Sequence, residues 1–187
     1  MKVTAVSSMQ TRLSYLQRLL TMLLLLTGLL FVSPAAAISA STGAGIADNA
    51  LYQERIDYTL TNQNEADFHD QDLTNTSFAG AVARGANFSG ATLRGSILTQ
   101  GSFSSANFQG ADLSDALMDR ADFIGTDLRD AVLSQIIASG SSFADAQIEG
   151  ADFSDALLDR EDQRKLCRRA EGVNTRTGIS TFDSLGC

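Results

Sequence analysis

From Phe68 onward, every fifth residue is apolar for nineteen consecutive units: Phe68, Leu73, Phe78, Ala83, Phe88, Leu93, Leu98, Phe103, Phe108, Leu113, Met118, Phe123, Leu128, Leu133, Ala138, Phe143, Ile148, Phe153 and Leu158. Two residues before each of these the side chain is small: Ala at twelve of the nineteen positions and Thr, Ser or Gly at five more. The run from Ala66 to Arg160 contains no insertion. A helix, with period 3.6, and a flat strand, with period 2.0, both fail to bring every fifth residue to one side. Residues two apart in an extended segment face the same way, so the small and the large residue of each unit both point inward. The residues that follow must turn a corner, which suits the glycines at 80, 85, 90, 95, 110, 125, 140 and 150. Four units then close a square coil, and coils stacked about 4.8 Å apart give a body a little over roughly 20 Å long.

Two departures test this reading. Gln71 takes an inward small-residue site, but in the first coil, where the core is least enclosed. Ile136 is bulky at such a site, and its unit carries Ala138 at the centre, so volume is exchanged rather than added.

The N-terminal segment has the character of a secretory signal. Lys2, Arg12 and Arg18 are the only charges before Asp48, an apolar run extends from Leu19 to Val32, and Ser33-Pro34-Ala35-Ala36-Ala37 offers a small-x-small cleavage site. The run is shorter than the roughly 20 residues of a membrane span, so a cleaved signal is expected over a retained anchor, with no stable span after cleavage. Past residue 37 the chain holds eleven basic and 22 acidic residues, a net charge of −11. Such a surface repels phosphate backbones, and no nucleic-acid partner is expected. Cys167 and Cys187 are the two cysteines; an even count in an exported chain reads as a disulfide, with two free thiols the alternative.

The pentad pattern resembles the pentapeptide-repeat family, with units close to Ala-(Asp or Asn)-(Leu or Phe)-x-x. Ala66-Asp67-Phe68, Ala86-Asn87-Phe88, Ala106-Asn107-Phe108, Ala111-Asp112-Leu113, Ala121-Asp122-Phe123 and Ala151-Asp152-Phe153 match it fully. The resemblance implies an all-β solenoid, a right-handed quadrilateral β-helix; the period alone permits the square coil without fixing its hand. Leu166-Cys167, an Asn-x-x-Thr-Gly turn at Asn174 and a terminal Ser-Leu-Gly-Cys resemble the capping segment of thylakoid-lumenal members from cyanobacteria and chloroplasts. That likeness implies a short α-helical C-terminal cap in which Cys167 pairs with Cys187. Asp159 is expected to cap a helix from Arg160 to Glu171 in a capping-box-like pairing with Asp162, with Gly172 as its stop. The expected organisation is a signal at 1–37, a linker and N-terminal cap at 38–65, the β-helix at 66–160 and the C-terminal cap at 161–187. Asp48 to Tyr58 is read as a short helix covering the first coil.

No catalytic constellation, cofactor motif or metal site is legible. His69 is the one histidine and sits outward beside Asp67, Asp70 and Asp72, a grouping read as solvated surface. No small-molecule substrate is expected. One column of outward residues is unusual: Ser77, Ile97, Leu117, Ile137 and Leu157, each one coil above the last. Stacked aliphatics on an acidic surface mark either a docking site for a protein partner or second copy, or a strip covered by residues 38–65 or the C-terminal tail. The functional expectation is a non-catalytic protein-interaction scaffold, exported to the thylakoid lumen or the periplasm. The alternative is a DNA mimic, an acidic rod that inhibits a DNA-binding enzyme such as gyrase, which export would separate from its target.

Overall fold

The backbone accounting of a single pentad explains the whole body. In the unit around Phe68, the Phe68 N–H donates to Asn87 O at 2.7 Å and the Asp70 N–H to Ser89 O at 2.9 Å, both in the next coil. The Asn87 N–H returns a bond to Ala66 O at 2.9 Å, and the corner closes by Gln71 N–H to Phe68 O at 3.2 Å. Repeating this pattern gives parallel bridges between residues twenty apart, from Asp57↔Ser77 to Ile137↔Leu157. Those bridges fall on four faces, so the chain is a four-sided stack of coils. The structure is a computed structural model that describes residues 57–187. The expected signal at 1–37 and the part of the linker at 38–56 lie outside the described residues.

Each unit leaves one backbone donor unused, the N–H of its fourth residue. The outward residue before the centre supplies the acceptor: Asp67 Oδ1 for His69, Asp72 Oδ1 for Thr74, Asn107 Oδ1 for Gln109, and Asp122 Oδ1 for Ile124, at 2.9–3.2 Å. This is why Asp and Asn recur at that position, since their short side chains accept from the backbone two residues on.

The corners are left-handed at every fifth residue from Leu60 to Asp155. Eight are glycine, but twelve other residues adopt the same conformation, including Leu60 (φ 56°), Gln100 (φ 59°) and Arg120 (φ 56°). The turn requires positive φ at its third residue, and the ladder bonds on either side hold the backbone there whatever the side chain.

Inside, the centres stack in columns. Phe68, Phe88 and Phe108 lie ring over ring with centroids 4.8 and 4.6 Å apart, and Phe103, Phe123 and Phe143 follow at 5.2 and 5.4 Å on another face. Ile136 and Ala138 are both buried, as expected of exchanged volumes, while Gln71 is exposed and its amide donates to Asp67 O at 3.2 Å.

The ladder starts earlier than Ala66. Asp57 and Asn62 already pair with Ser77 and Val82, and the Tyr58 ring stacks on Phe78 at 4.8 Å. Residues 57–65, expected in a linker and cap, therefore form coil, and Tyr58 ends no helix. Gln63 obscured this by placing a polar side chain at a centre; its amide is satisfied by Thr61 Oγ1 at 3.1 Å.

The C-terminal helix is shorter than its sequence pattern. Helix α1 spans Arg160–Cys167, and the side chain of Asp159 makes no cap bond but accepts from Gly140 N at 2.8 Å. The chain leaves the helix to reach the open edge of the last coil, where Glu171 O accepts from Gly150 N at 2.9 Å and Arg169 donates to Phe143 O at 2.6 Å. A second helix, α2 (Thr181–Ser184), is capped by Ser180 Oγ and places Ser184 Oγ 3.0 Å from Phe153 N. Leu166 and Leu185 close the core beneath them. Unpaired edge groups that would otherwise invite another chain are thereby occupied.

Candidate interaction face

The four faces follow in chain order; the first carries Asn62, Val82, Ser102, Asp122 and Ser142 outward, and the fourth carries Asp57, Ser77, Ile97, Leu117, Ile137 and Leu157. Bridges Ser77↔Ile97, Ile97↔Leu117, Leu117↔Ile137 and Ile137↔Leu157 put the four aliphatics in direct register. Leu117 is 38% and Leu157 60% exposed, with Ile97 and Ile137 half-buried between and below them. An aliphatic side chain cannot accept a hydrogen bond. In these four units the N–H of Thr99, Asp119, Ser139 and Asp159 finds no protein acceptor among the described residues, unlike its counterparts over aspartate and asparagine. The column thus departs from what the coil itself favours, in four successive turns.

The C-terminal tail lies elsewhere. It bridges Val173 to Ser180 and runs along the corner between the second and third faces. There the buried Asn174 amide donates to Asp130 O, Ala131 O and Gly150 O at 2.8–3.2 Å, and Arg176 reaches Gly110 O and Asp112. Beside it on the third face Val132 and Asp152 are buried. So one aliphatic outward residue, Val132, sits by the chain's own tail, whereas the fourth-face column stays open to it, and residues 57–65 are in the ladder rather than over the column.

Cys167 and Cys187 are bonded, with Cα atoms 5.6 Å apart, tying the end of α1 to the chain terminus across 20 residues. The sequence marks Asn174 only as part of a turn. Its Oδ1 accepts from Arg176 N and Thr177 N at 3.0 and 2.9 Å while its amide faces the coils, so one side chain both forms the turn and clamps it.

His69 is exposed, with Nδ1 3.0 Å from Asp67 Oδ1. The hydrogen bond to Asp67 raises the imidazole pKa above its ordinary value, and the same bond holds the Asp67 carboxyl below its own. Among the described residues no group of three or more His, Cys, Asp or Glu side chains is arranged to hold a metal ion, and no helix is long and apolar enough to cross a membrane. A cleft of about 370 Å³ between the last coil and α1, lined in part by Asp145, Lys165, Arg168 and Arg169, carries mixed charge.

The model of pentapeptide repeats matches the chain in eight copies over residues 64–100, 102–135 and 128–160. The chain belongs to the pentapeptide repeat family. Three solved structures are similar to it. A pentapeptide repeat protein from the thylakoid lumen of Arabidopsis thaliana is 30% identical over 71% of this chain and 85% of its own, with a TM-score of 0.41. One from Nostoc PCC 7120 is 24% identical over 59% and 81%, with a TM-score of 0.38. A trypsin-treated form of QnrB1, a plasmid-mediated fluoroquinolone resistance protein, is 20% identical over 60% and 69%, with a TM-score of 0.39. No curated protein matches the chain. Against the pentapeptide repeat consensus, the fourth face is where the Asp or Asn position is replaced most regularly.

Proposed function

We propose that this pentapeptide repeat protein is a non-catalytic interaction scaffold, exported to the thylakoid lumen or, as the alternative, the periplasm. Family membership implies a right-handed quadrilateral β-helix as the rigid body, and the fourth face is its docking surface. The observation that carries the reading is the column Ile97, Leu117, Ile137 and Leu157: four aliphatics in register, on a face where each displaces a backbone acceptor. Export rests on the cationic and apolar N-terminal segment with its small-x-small site, and on the disulfide, which persists in oxidising compartments.

The test is crosslinking and pull-down of the mature protein from its native compartment, with fractionation, beside a Leu117→Asp, Ile137→Asp double variant. Loss of a captured protein, with circular dichroism showing the variant folded, supports the reading. If the folded variant keeps every partner and its oligomeric state, the fourth face is not the docking surface. A second reading, the DNA mimic, is favoured by the net charge of −11 past residue 37; recovery of the protein uncleaved in the cytoplasm would move the assignment there.

A further inference from the structure

The fourth face carries a second regularity beyond its aliphatics. Ser114-Asp115-Ala116-Leu117-Met118-Asp119-Arg120 recurs two coils later as Ser154-Asp155-Ala156-Leu157-Leu158-Asp159-Arg160, with one residue changed. Each of the two exposed leucines is therefore flanked on both sides by a carboxylate, and Ile137 lies between them with the uncharged Gln135 and Ser139 at its sides. Some of this charge is spoken for. Arg94 bridges Asp112 and Asp115 at 3.5 Å each, and Asp159 accepts from Gly140 N. Asp119 and Asp155 have no ion-pair partner among the described residues, and Arg120 and Arg160 stand one column further out, at the corner.

Resting on the scaffold reading, we propose that the occupant of this face is an amphipathic helix of a partner protein, apolar along one ridge and flanked by lysine or arginine. The ridge lies along Leu117, Ile137 and Leu157, and the cations meet Asp119 and Asp155. Three observations favour this occupant. The two exposed leucines are two coil spacings apart, roughly 10 Å, close to the roughly 10.5 Å between residues i and i+7 of an α-helix. A single file of apolar side chains in register matches one apolar ridge of a helix, whose i, i+3 and i+7 residues also form a single file. The acids stand on both flanks, so the complementary element is cationic on both flanks.

A second copy fits poorly. Two copies face to face would bring like-charged flanks together, and a strip one side chain wide and about 15 Å tall offers much less area than the roughly 800 Å² each partner buries in a standard interface.

The probe is a designed helical peptide of about eighteen residues, with leucines at i, i+3 and i+7 and lysines beside them, and a twin carrying glutamates in place of the lysines. Each is titrated against the mature full-length protein by fluorescence anisotropy at low and physiological salt. The lysine peptide is expected to bind and the glutamate twin not to. Leu117→Asp with Leu157→Asp should weaken binding about a hundredfold, tenfold for each leucine contact. That variant adds negative charge, so non-specific attraction would strengthen instead. Asp119→Asn with Asp155→Asn should weaken binding several-fold and flatten its salt dependence. Ile124→Asp, exposed on the first face, should leave it unchanged. Equal affinity for the leucine variant, binding of the glutamate twin, absence of binding, or a dimer that dissociates on Leu117→Asp would each overturn the proposal. Capture of a partner that depends on Leu117 and Ile137 but crosslinks through no cationic helix would overturn this occupant and leave the scaffold reading standing.

Discussion

Replacing Asn174 by alanine tests how the tail is held. Its side chain is 1% exposed and makes five contacts: its amide faces the carbonyls of Asp130, Ala131 and Gly150, and its oxygen accepts from Arg176 N and Thr177 N. Arg176 and Thr177 are exposed, so water replaces that half of the network at little cost. The bonds to Ala131 O and Gly150 O are buried. Ala131 O keeps its ladder bond from Asp152 N at 3.0 Å, so Gly150 O is the buried acceptor left unpaired. That loss is about 2 kcal/mol. In a protein of this size it lowers Tm by roughly 4–8 °C. A solenoid's stability is close to a sum of neighbouring interfaces, so the loss should appear first at the cap. Hydrogen exchange should accelerate at the Gly150 and Thr181 amides, which bond to Glu171 O and Gly172 O, and stay unchanged at Phe88 and Leu93 deep in the stack. A Tm within about 2 °C of the parent, with unchanged exchange at Gly150, would refute the clamp.

Gly101→Ala should lower the unfolding free energy by about 1–3 kcal/mol in urea titration, because an added Cβ would stand 2.4 Å from the Phe103 ring, itself stacked on Phe123. Cys167→Ser with Cys187→Ser should cost about 3 kcal/mol for a loop of this length, read as an earlier loss of exchange protection in α1 and the tail. Asp127 is held below its ordinary pKa by the hydrogen bond from Arg129, at 2.9 Å. Its contribution to stability is present above the ordinary carboxylate pKa and is lost as pH falls through the depressed folded value. Asp127→Asn should therefore flatten the acid limb of the stability curve below about pH 4, the ordinary carboxylate value. His69 is raised by Asp67, so its nuclear magnetic resonance titration should have a midpoint above the free value and return towards it in Asp67→Asn.

The Asp and Asn side chains before each centre link composition to fold. An acidic surface reads at first as a solubility feature, yet Asp57, Asp72, Asp112, Asp122 and Asp152 each accept the one backbone N–H their unit leaves over. Along the second face the same residues also join coils, with Asn87 donating to Asp67 at 3.1 Å and Asn107 to Asn87 at 3.3 Å. Much of the charge is thus local backbone chemistry repeated along a lattice. That makes the fourth face, where the acceptor is absent in four successive coils, more informative than its small apolar area would be alone.

The five-residue period permits the square coil without fixing its hand, and it sets the inward columns and the register of the Ile97–Leu157 stripe, because a repeat without insertions makes spatial neighbours a matter of counting by twenty. The cysteine pair came from outside the period: an even count in an exported chain reads as a disulfide, and the resemblance of the capping segment implies Cys167 with Cys187. The tertiary structure decided what interrupted the count. Gln63 hid the start of the ladder because a polar centre is tolerated where Thr61 satisfies it. The end of α1 is set by the edge of the last coil, whose Gly150 N–H and Phe143 carbonyl draw the chain out of the helix sooner than its charge pattern implies. Only the path of the tail showed that Asn174 clamps the corner between the second and third faces and leaves the aliphatic column open, since such contacts join residues 20 to 66 apart in the chain with no period to announce them.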